Sequence, residues 1–152
     1  MALRVGAELV DEPWAADLAV ARAFADGCAR GSLDGGLHIS SGLGVLSRIE
    51  TWDHLDALLL AWLVSLDALA EDDDVVVVFP DTRIECALRR QADGSCRASY
   101  EDIDGQFDRE SLSAAIDDAA ARLHEAARRR DCSTPALDRW LARRGRSRGV
   151  RP

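Results

Sequence analysis

The segment from Trp52 to about Ala70 constrains the fold more than any other part of this 152-residue chain. Its apolar side chains cover nearly the whole circumference of a helix: Leu55, Leu58, Leu59, Leu60, Trp62, Leu63, Val64, Leu66 and Leu69. Thr51 is a suitable N-terminal cap, and the segment is too short and too interrupted by Asp56 and Asp67 for a membrane span. A helix that is apolar on most sides must be covered by protein on two faces. We therefore predict a central helix that is covered either by a sheet and another helix or by a second subunit.

The clearest local signal is a β-hairpin in which residues 83–90 and 95–100 flank Asp93-Gly94. A two-residue loop would mix apolar and polar side chains on each face of the hairpin. A three-residue loop with Gly94 in the left-handed conformation places Leu88 opposite Ala98, and this is the register we predict. One face of the hairpin then carries Ile84, Cys86, Leu88, Cys96, Ala98 and Tyr100. In this register Cys86 and Cys96 lie too far apart for a disulfide.

Weaker patterns define the first third of the chain. Residues 3–10 roughly alternate and predict a strand, and Pro13 opens a predicted helix whose apolar positions extend to Ala25. Residues 31–44 are rich in glycine and serine, which predicts a loop with at most a short strand at 37–39.

Three further elements are predicted towards the C-terminus. The β-branched run 75–79 favours a buried strand. Asp108 is a good N-terminal cap for a helix over 109–130, and Thr134 with Pro135 begins a last helix that carries an apolar face. The sequence thus predicts a two-layer α+β domain over residues 1–144, in which a small, mostly antiparallel sheet packs on two or three helices. Residues 145–152 are predicted to be a disordered, arginine-rich tail.

Composition excludes several chemistries. The chain has no lysine, so a P-loop lysine, a Schiff base and a lysine general base are ruled out. The four cysteines are scattered without the spacing of a zinc site, which favours a reducing compartment. The first residues lack the apolar run of a secretory signal, and we therefore expect a cytoplasmic protein that does not enter a membrane.

Charge is strongly segregated along the chain. Residues 128–152 contain nine arginines and two acids, a net charge of +7; because the whole chain carries −8, residues 1–127 carry −15. Acidic groups flank the predicted strands, and such a surface favours the approach of a cationic partner. The partner-binding residues predicted on this basis are Asp72, Asp73, Asp74, Asp81, Asp102 and Asp104.

No catalytic or metal-binding constellation emerges from the remaining polar residues. The histidines at 38, 54 and 124 are not grouped with carboxylates at a spacing that would build a site. Residues 102–108 imitate part of a calcium loop, but the positions of its first carboxylate and its bidentate glutamate hold Tyr100 and Ser111. We predict no catalytic residue, no metal ligand and no cofactor, and among the cysteines we expect Cys132 to be the most exposed thiol.

The function we infer from the sequence is that of a non-catalytic binding protein, an inhibitor or immunity-type protein whose acidic surface captures a basic protein partner. In character, though in no motif, the chain is similar to the small acidic domains of immunity proteins and antitoxins. Two alternatives stay open: a small enzyme or ligand-binding domain that uses the 31–44 loop, and an assembly subunit that forms a homodimer through its apolar helices. The acidic body argues against nucleic acid as a partner.

Overall fold

The computed structural model describes residues 20–26, 33–41, 44–46, 53–129 and 132–148. Within these ranges the strands are β1 (Val20–Asp26), β2 (Asp34–Ser41), β3 (Gly44–Leu46), β4 (Asp53–His54), β5 (Asp74–Val78), β6 (Glu85–Arg90), β7 (Ser95–Tyr100) and β8 (Ile103–Asp108). The helices are α1 (Leu55–Ala68), α2 (Arg109–Arg128) and α3 (Pro135–Arg148). The predicted strand at 3–10, the predicted helix start at Pro13 and the predicted cap at Thr51 lie outside the described residues.

The first sheet is formed by segments for which the sequence predicted a helix and a loop. Strands β1, β2 and β3 pair antiparallel in that order, and β4 pairs with β2. The predicted helix is therefore wrong over 20–26, where alanines at every second position fit a strand as well as a helix. The predicted loop at 31–44 is wrong over 34–36 and 40–41, whereas the short strand predicted at 37–39 is confirmed as part of β2. Leu33, Leu37 and Ile39 are buried at odd-numbered positions, an alternation that the glycine and serine content obscured.

The second sheet contains the predicted hairpin. Its strands are antiparallel in the order β5, β6, β7, β8. Leu88 lies opposite Ala98, and Gly94 has a φ of 84°, so the three-residue loop and its register are confirmed. The predicted hairpin face points inwards, with Cys86, Leu88, Cys96 and Ala98 fully buried and both thiols free.

Strand β5 differs from its prediction in burial. Val77 is fully buried, but Val76 and Val78 are each 48% exposed. The β-branched run was predicted to be a buried strand, and this is wrong for Val76 and Val78 because β5 lies at the edge of a sheet whose outer face meets solvent. The strand itself is confirmed.

Helix α1 is the centre of the fold, as predicted. It begins at Leu55, slightly later than expected, and packs against β2 and β5 on one side and α2 and α3 on the other. Trp62 is 2% exposed, and the leucines around it belong to one continuous core. The apolar circumference of this helix is therefore satisfied largely within the chain.

Helices α2 and α3 complete the domain. Asp108 caps α2 by accepting a hydrogen bond from the Ser111 N–H (2.8 Å), as predicted. Helix α3 packs on α1 and α2, and it ends at Arg148, so the boundary predicted at residue 144 falls inside a helix. Residues 149–152 lie outside the described part of the chain.

Together these elements form a two-layer α+β fold, which confirms the predicted class. Strand β3 packs beside β8, so the two sheets adjoin, and the helices cover their inner side. No helix among the described residues combines the length and hydropathy needed to cross a bilayer.

Candidate functional site

The six predicted partner-binding acids lie at the two ends of the second sheet. Asp72 and Asp73 precede β5, and Asp74 is its first residue. Asp81 follows β5, and Asp102 lies in the turn between β7 and β8, both at the opposite end. Since a strand of this length spans roughly 17 Å, the structure brings these acids onto one sheet but not into one cluster.

Three of the six acids pair with arginines on neighbouring strands. The Asp73 carboxylate accepts from Arg90 Nε (3.0 Å), and the Asp74 carboxylate lies 3.1 Å from Arg89 Nε. Asp104 binds Arg97 through both carboxylate oxygens, each 3.0 Å from Nε. Hydrogen bonding to Arg97 lowers the pKa of Asp104, and the pKa of Arg97 is raised in return. These exposed pairs order the outer face of the sheet and neutralise half of the predicted set.

The segment that forms the second sheet and its turns remains strongly acidic despite these pairs. Between Glu71 and Glu110 the chain holds twelve acids and five arginines, a net charge of −7. Among the described residues, the carboxylates of Glu71, Asp72 and Asp81 have no arginine within 4.0 Å. All three side chains are exposed. Asp72 and Asp81 belong to the predicted set, and with Glu71, which was not predicted, they are carboxylates that are available to an external cation.

A polar depression of about 300 Å³ lies on the same face. It is lined by Gln91, Arg97, Asp104, Gly105 and Gln106. Because the charged members of this lining are already bound to each other, the depression offers hydrogen bonds rather than a free charge.

A hydroxyl, an imidazole and a carboxylate meet where α2 joins α3. His124 Nδ1 lies 2.9 Å from Thr134 Oγ1 and 3.1 Å from an Asp138 oxygen, and the Thr134 hydroxyl lies 3.2 Å from the same carboxylate. A nucleophile relay needs the hydroxyl and the carboxylate on opposite ring nitrogens. Here both contact Nδ1, and Thr134 is 2% exposed. The arrangement fastens α3 to α2 and has no catalytic geometry.

The other two histidines do not converge with it. His54 lies in β4, directly before α1, and its Nδ1 is 3.5 Å from the Asp34 carboxylate at the start of β2. His38 lies in β2, four residues after Asp34, and its backbone pairs with that of Arg22 in β1. No group of three or more histidine, cysteine or acidic side chains within the described ranges is arranged to hold a metal ion.

Two buried carboxylates were not singled out from the sequence. Asp53 is 3% exposed and accepts hydrogen bonds from the backbone N–H groups of His54, Asp81 and Thr82 (2.7 to 3.3 Å). Asp56 is 1% exposed and accepts from the N–H groups of Ala136 and Leu137, both at 2.9 Å. The sequence signal for these carboxylates was their position at the start of an apolar helix, but most of the N–H groups that bind them belong to residues distant in sequence. Both carboxylates anchor structure: Asp53 holds the turn after β5, and Asp56 holds the start of α3.

The cysteines are more buried than predicted at one position. Burial raises the pKa of Cys86 to about 12, with a contribution from nearby Cys96, and burial raises the pKa of Cys96 to about 11. Both are core residues. Cys132 is 7% exposed and disulfide-bonded, so the expectation of an exposed thiol there is wrong. Its backbone N–H also bonds to the Ala127 carbonyl (2.9 Å), which draws the connection between α2 and α3 inwards.

Comparison with known proteins returned no matching family model, no matching curated protein and no matching solved structure. The geometry alone therefore carries the functional argument.

Proposed function

We propose that the protein is a non-catalytic binding protein, of an inhibitor or immunity type, that captures a cationic protein partner on the acidic side of its second sheet. The observation that supports this most directly is the set of exposed carboxylates at Glu71, Asp72 and Asp81 that have no arginine nearby among the described residues. They lie on a segment of net charge −7. Such a field accelerates the encounter with a basic surface and disfavours acidic competitors.

The polar clusters of the described residues make structural contacts, which fits a non-catalytic binding role. The buried carboxylates of Asp53 and Asp56 bind backbone N–H groups, and the His124 cluster joins two helices. The glycine-rich segment on which the ligand-binding alternative relied is a paired strand over 34–41.

Affinity capture with matched baits tests the proposal. One bait is the full chain, a second carries Asp72→Asn with Asp81→Asn, and a control carries Asp118→Asn with Glu125→Gln on α2. Proteins from the native host are identified by mass spectrometry. We expect the full chain and the control to retain the same basic protein, the second bait to lose it, and added salt to weaken capture because screening shortens the range of the field. Capture of acidic proteins only, or equal capture by all three baits, would contradict the proposal.

A further inference from the structure

Strand β5 has one open side along its backbone. It is the end strand of the second sheet, and among the described residues it pairs with β6 alone. The Phe79 N–H donates to the Ile84 carbonyl, which continues this pairing by one step. Because backbone groups alternate in direction along a strand, the odd-numbered residues of β5 bond to β6 and the even-numbered residues point away from the sheet. The even-numbered residues, which we name the β5 edge, are Asp74, Val76 and Val78.

Most backbone groups of the β5 edge have no hydrogen-bond partner within the described ranges. The exception is the Val76 carbonyl, which accepts from the Ser65 hydroxyl of α1 at 3.4 Å. A carbonyl oxygen has two lone pairs, so a second donor can still bond to it. The N–H groups of all three edge residues and the carbonyls of Asp74 and Val78 make no hydrogen bond in this part of the chain. A free edge of this kind is a template for one more strand.

The side chains of the β5 edge are also only half covered. Val76 and Val78 are each 48% exposed, and their cross-strand neighbours on β6 are Ala87 and Glu85. These valines lie on the outer face of the sheet, whereas Val77 between them is fully buried. Since β6 flanks the two valines on one side only, a strand added on the other side would contact them as a second cross-strand neighbour.

An extended segment fits this edge and a helix does not. A helix uses its backbone N–H and carbonyl groups internally, so it would leave the edge groups of β5 without partners. The exposed valines form no groove with α1, because they lie on the outer face and α1 packs on the inner side of β5. An added strand bonds to the edge and contacts the valines at the same time.

Acids at both ends of β5 oppose a second copy as the added strand. The antiparallel arrangement that pairs Val76 with Val76 of the other copy brings Glu71 of each copy opposite Asp81 of the other. The arrangement shifted by two residues pairs Val76 with Val78 and brings Asp73 opposite Asp81. A parallel arrangement aligns each acid with its own equivalent. Like charges directly opposite each other are destabilising, and each copy carries a net charge of −8.

We infer that the β5 edge is the docking site for an extended, basic segment of the protein partner, which joins the four-stranded second sheet as a further strand. This rests on the proposed function and assigns its contact centre. The backbone of the segment bonds to the edge, and apolar side chains at alternate positions contact Val76 and Val78. Arginines or lysines at its ends meet Glu71 and Asp72 on one side and Asp81 on the other.

N-methylated peptides test this pairing without any change to the protein. The parent peptide has about nine residues, enough to span β5 and its acidic flanks, with arginines at both ends and valine alternating with threonine between them. Residues that exchange hydrogen bonds across an antiparallel pair have side chains on the same face, so the valines that contact Val76 and Val78 also supply the N–H groups. One comparison peptide is N-methylated at its valines, and the other at its threonines.

Binding to the full chain is measured by fluorescence anisotropy. We expect methylation of the valines to weaken binding about tenfold or more, through the loss of two or three hydrogen bonds, and methylation of the threonines to have little effect. A fourth peptide with glutamate in place of arginine should bind about tenfold more weakly or less well still, because the flanking acids repel it. Failure of the parent peptide to bind, or equal binding by both methylated peptides, would overturn the inference.

Protein variants locate the site. Val76→Pro removes an edge N–H while leaving the bonds of the odd-numbered residues to β6, and Val76→Thr is its matched control because it keeps the backbone donor. Asp72→Asn with Asp81→Asn removes charge at both ends, and Ala121→Ser on the exposed side of α2 is a distant control. We expect Val76→Pro to weaken binding of the parent peptide about tenfold, the charge variant to weaken it and flatten its salt dependence, and both controls to bind nearly normally.

The outcomes separate this inference from the proposed function. Circular dichroism checks that each variant is folded, and if Val76→Pro unfolds, the methylated peptides decide alone. If the charge variant weakens binding while Val76→Pro and valine methylation do not, the inference is wrong and acidic capture stands. If valine methylation weakens binding but charge reversal does not, the proposed function fails and the basic occupant fails with it. If the chain dimerises in sedimentation experiments and Val76→Pro dissociates it, a second copy occupies the edge and the inference is overturned.

Discussion

At the scale of single residues, Asp56 is the side chain on which the position of α3 depends most directly. Pro135 opens the helix and has no N–H, so the first donors that need partners belong to Ala136 and Leu137, and Asp56 accepts from both. Replacing it with alanine leaves both donors unpaired, that of Leu137 in the core and that of Ala136 at its edge. We expect Asp56→Ala to lower the free energy of unfolding by about 2 kcal/mol, as measured by urea denaturation.

The control for that measurement is Asp118→Ala. Asp118 pairs with Arg122 one turn along α2, and its side chain is 56% exposed. Such surface pairs contribute little, so we expect a change within about 0.5 kcal/mol. Equal losses for the two variants would mean that Asp56 does not act as the cap of α3.

The buried thiols make a second prediction at this scale. Burial holds the pKa of Cys86 near 12 and that of Cys96 near 11, against an ordinary value of 9.0. The folded chain keeps these protons while the unfolded chain releases them above pH 9, so their contribution to stability is complete below pH 9. It is lost as the pH rises from 9 towards 11 and 12.

Two measurements check this. Iodoacetamide at pH 8 should leave both thiols unmodified in the folded chain and modify both after unfolding, as mapped by mass spectrometry. Between pH 9 and 10.5 the free energy of unfolding should fall more steeply for the native sequence than for Cys86→Ala. A steeper fall for the variant would contradict the sign of the effect.

At the scale of elements, two glycines in the second sheet should respond differently to alanine. Gly94 has a φ of 84° and open space around it, so its substitution carries only the conformational cost of about 1 kcal/mol. A Cβ at Gly105 would lie 2.6 Å from the ring of Phe107, which is fully buried and cannot move aside freely. We expect Gly105→Ala to lose up to about 3 kcal/mol through overpacking.

Thermal unfolding of both variants, with Gly94→Asn as a third, tests this order. Asparagine adopts the left-handed conformation more readily than alanine, so Gly94→Asn should lose less than Gly94→Ala. If Gly105→Ala were as stable as the native chain, the close approach of the Phe107 ring to Gly105 would not exist in solution.

The elements also show what the sequence could and could not specify. The hairpin register, the Asp108 cap and α1 follow from neighbours within a few positions, and they were predictable for that reason. Strand β2 was predicted only over 37–39, because Gly35 and Gly36 are poor strand formers whose place in the sheet depends on pairing with β1 and, for Gly35, with β4. The candidate acids were identifiable from composition, but their division between arginine-bound and arginine-free groups depends on which strands are neighbours.

At the scale of the whole molecule, the fold separates charge between its two sides. The acidic segment lies on the second sheet, whereas the arginine-rich end forms α3, which packs on α1 and α2 on the helical side. Arg144 joins the three helices by binding Asp67 and Asp117 while lying 5.3 Å from the centre of the Trp140 ring. Part of the basic end is therefore neutralised by ion pairs within the helical layer, and the acidic side keeps its negative electrostatic field.

This division predicts how the C-terminal end responds to truncation. Removing residues 145–152 leaves Leu137, Trp140 and Arg144 in place, so the melting temperature should change little. Removing residues 134–152 exposes the surface under the fully buried Leu137 and leaves the Asp56 carboxylate without its donors. We expect that longer cut to lower the melting temperature by roughly 10 °C or more, from the apolar area lost. Calorimetry of the three chains measures both effects, and an unchanged melting temperature after the longer cut would show that α3 does not contribute to the stability of the domain.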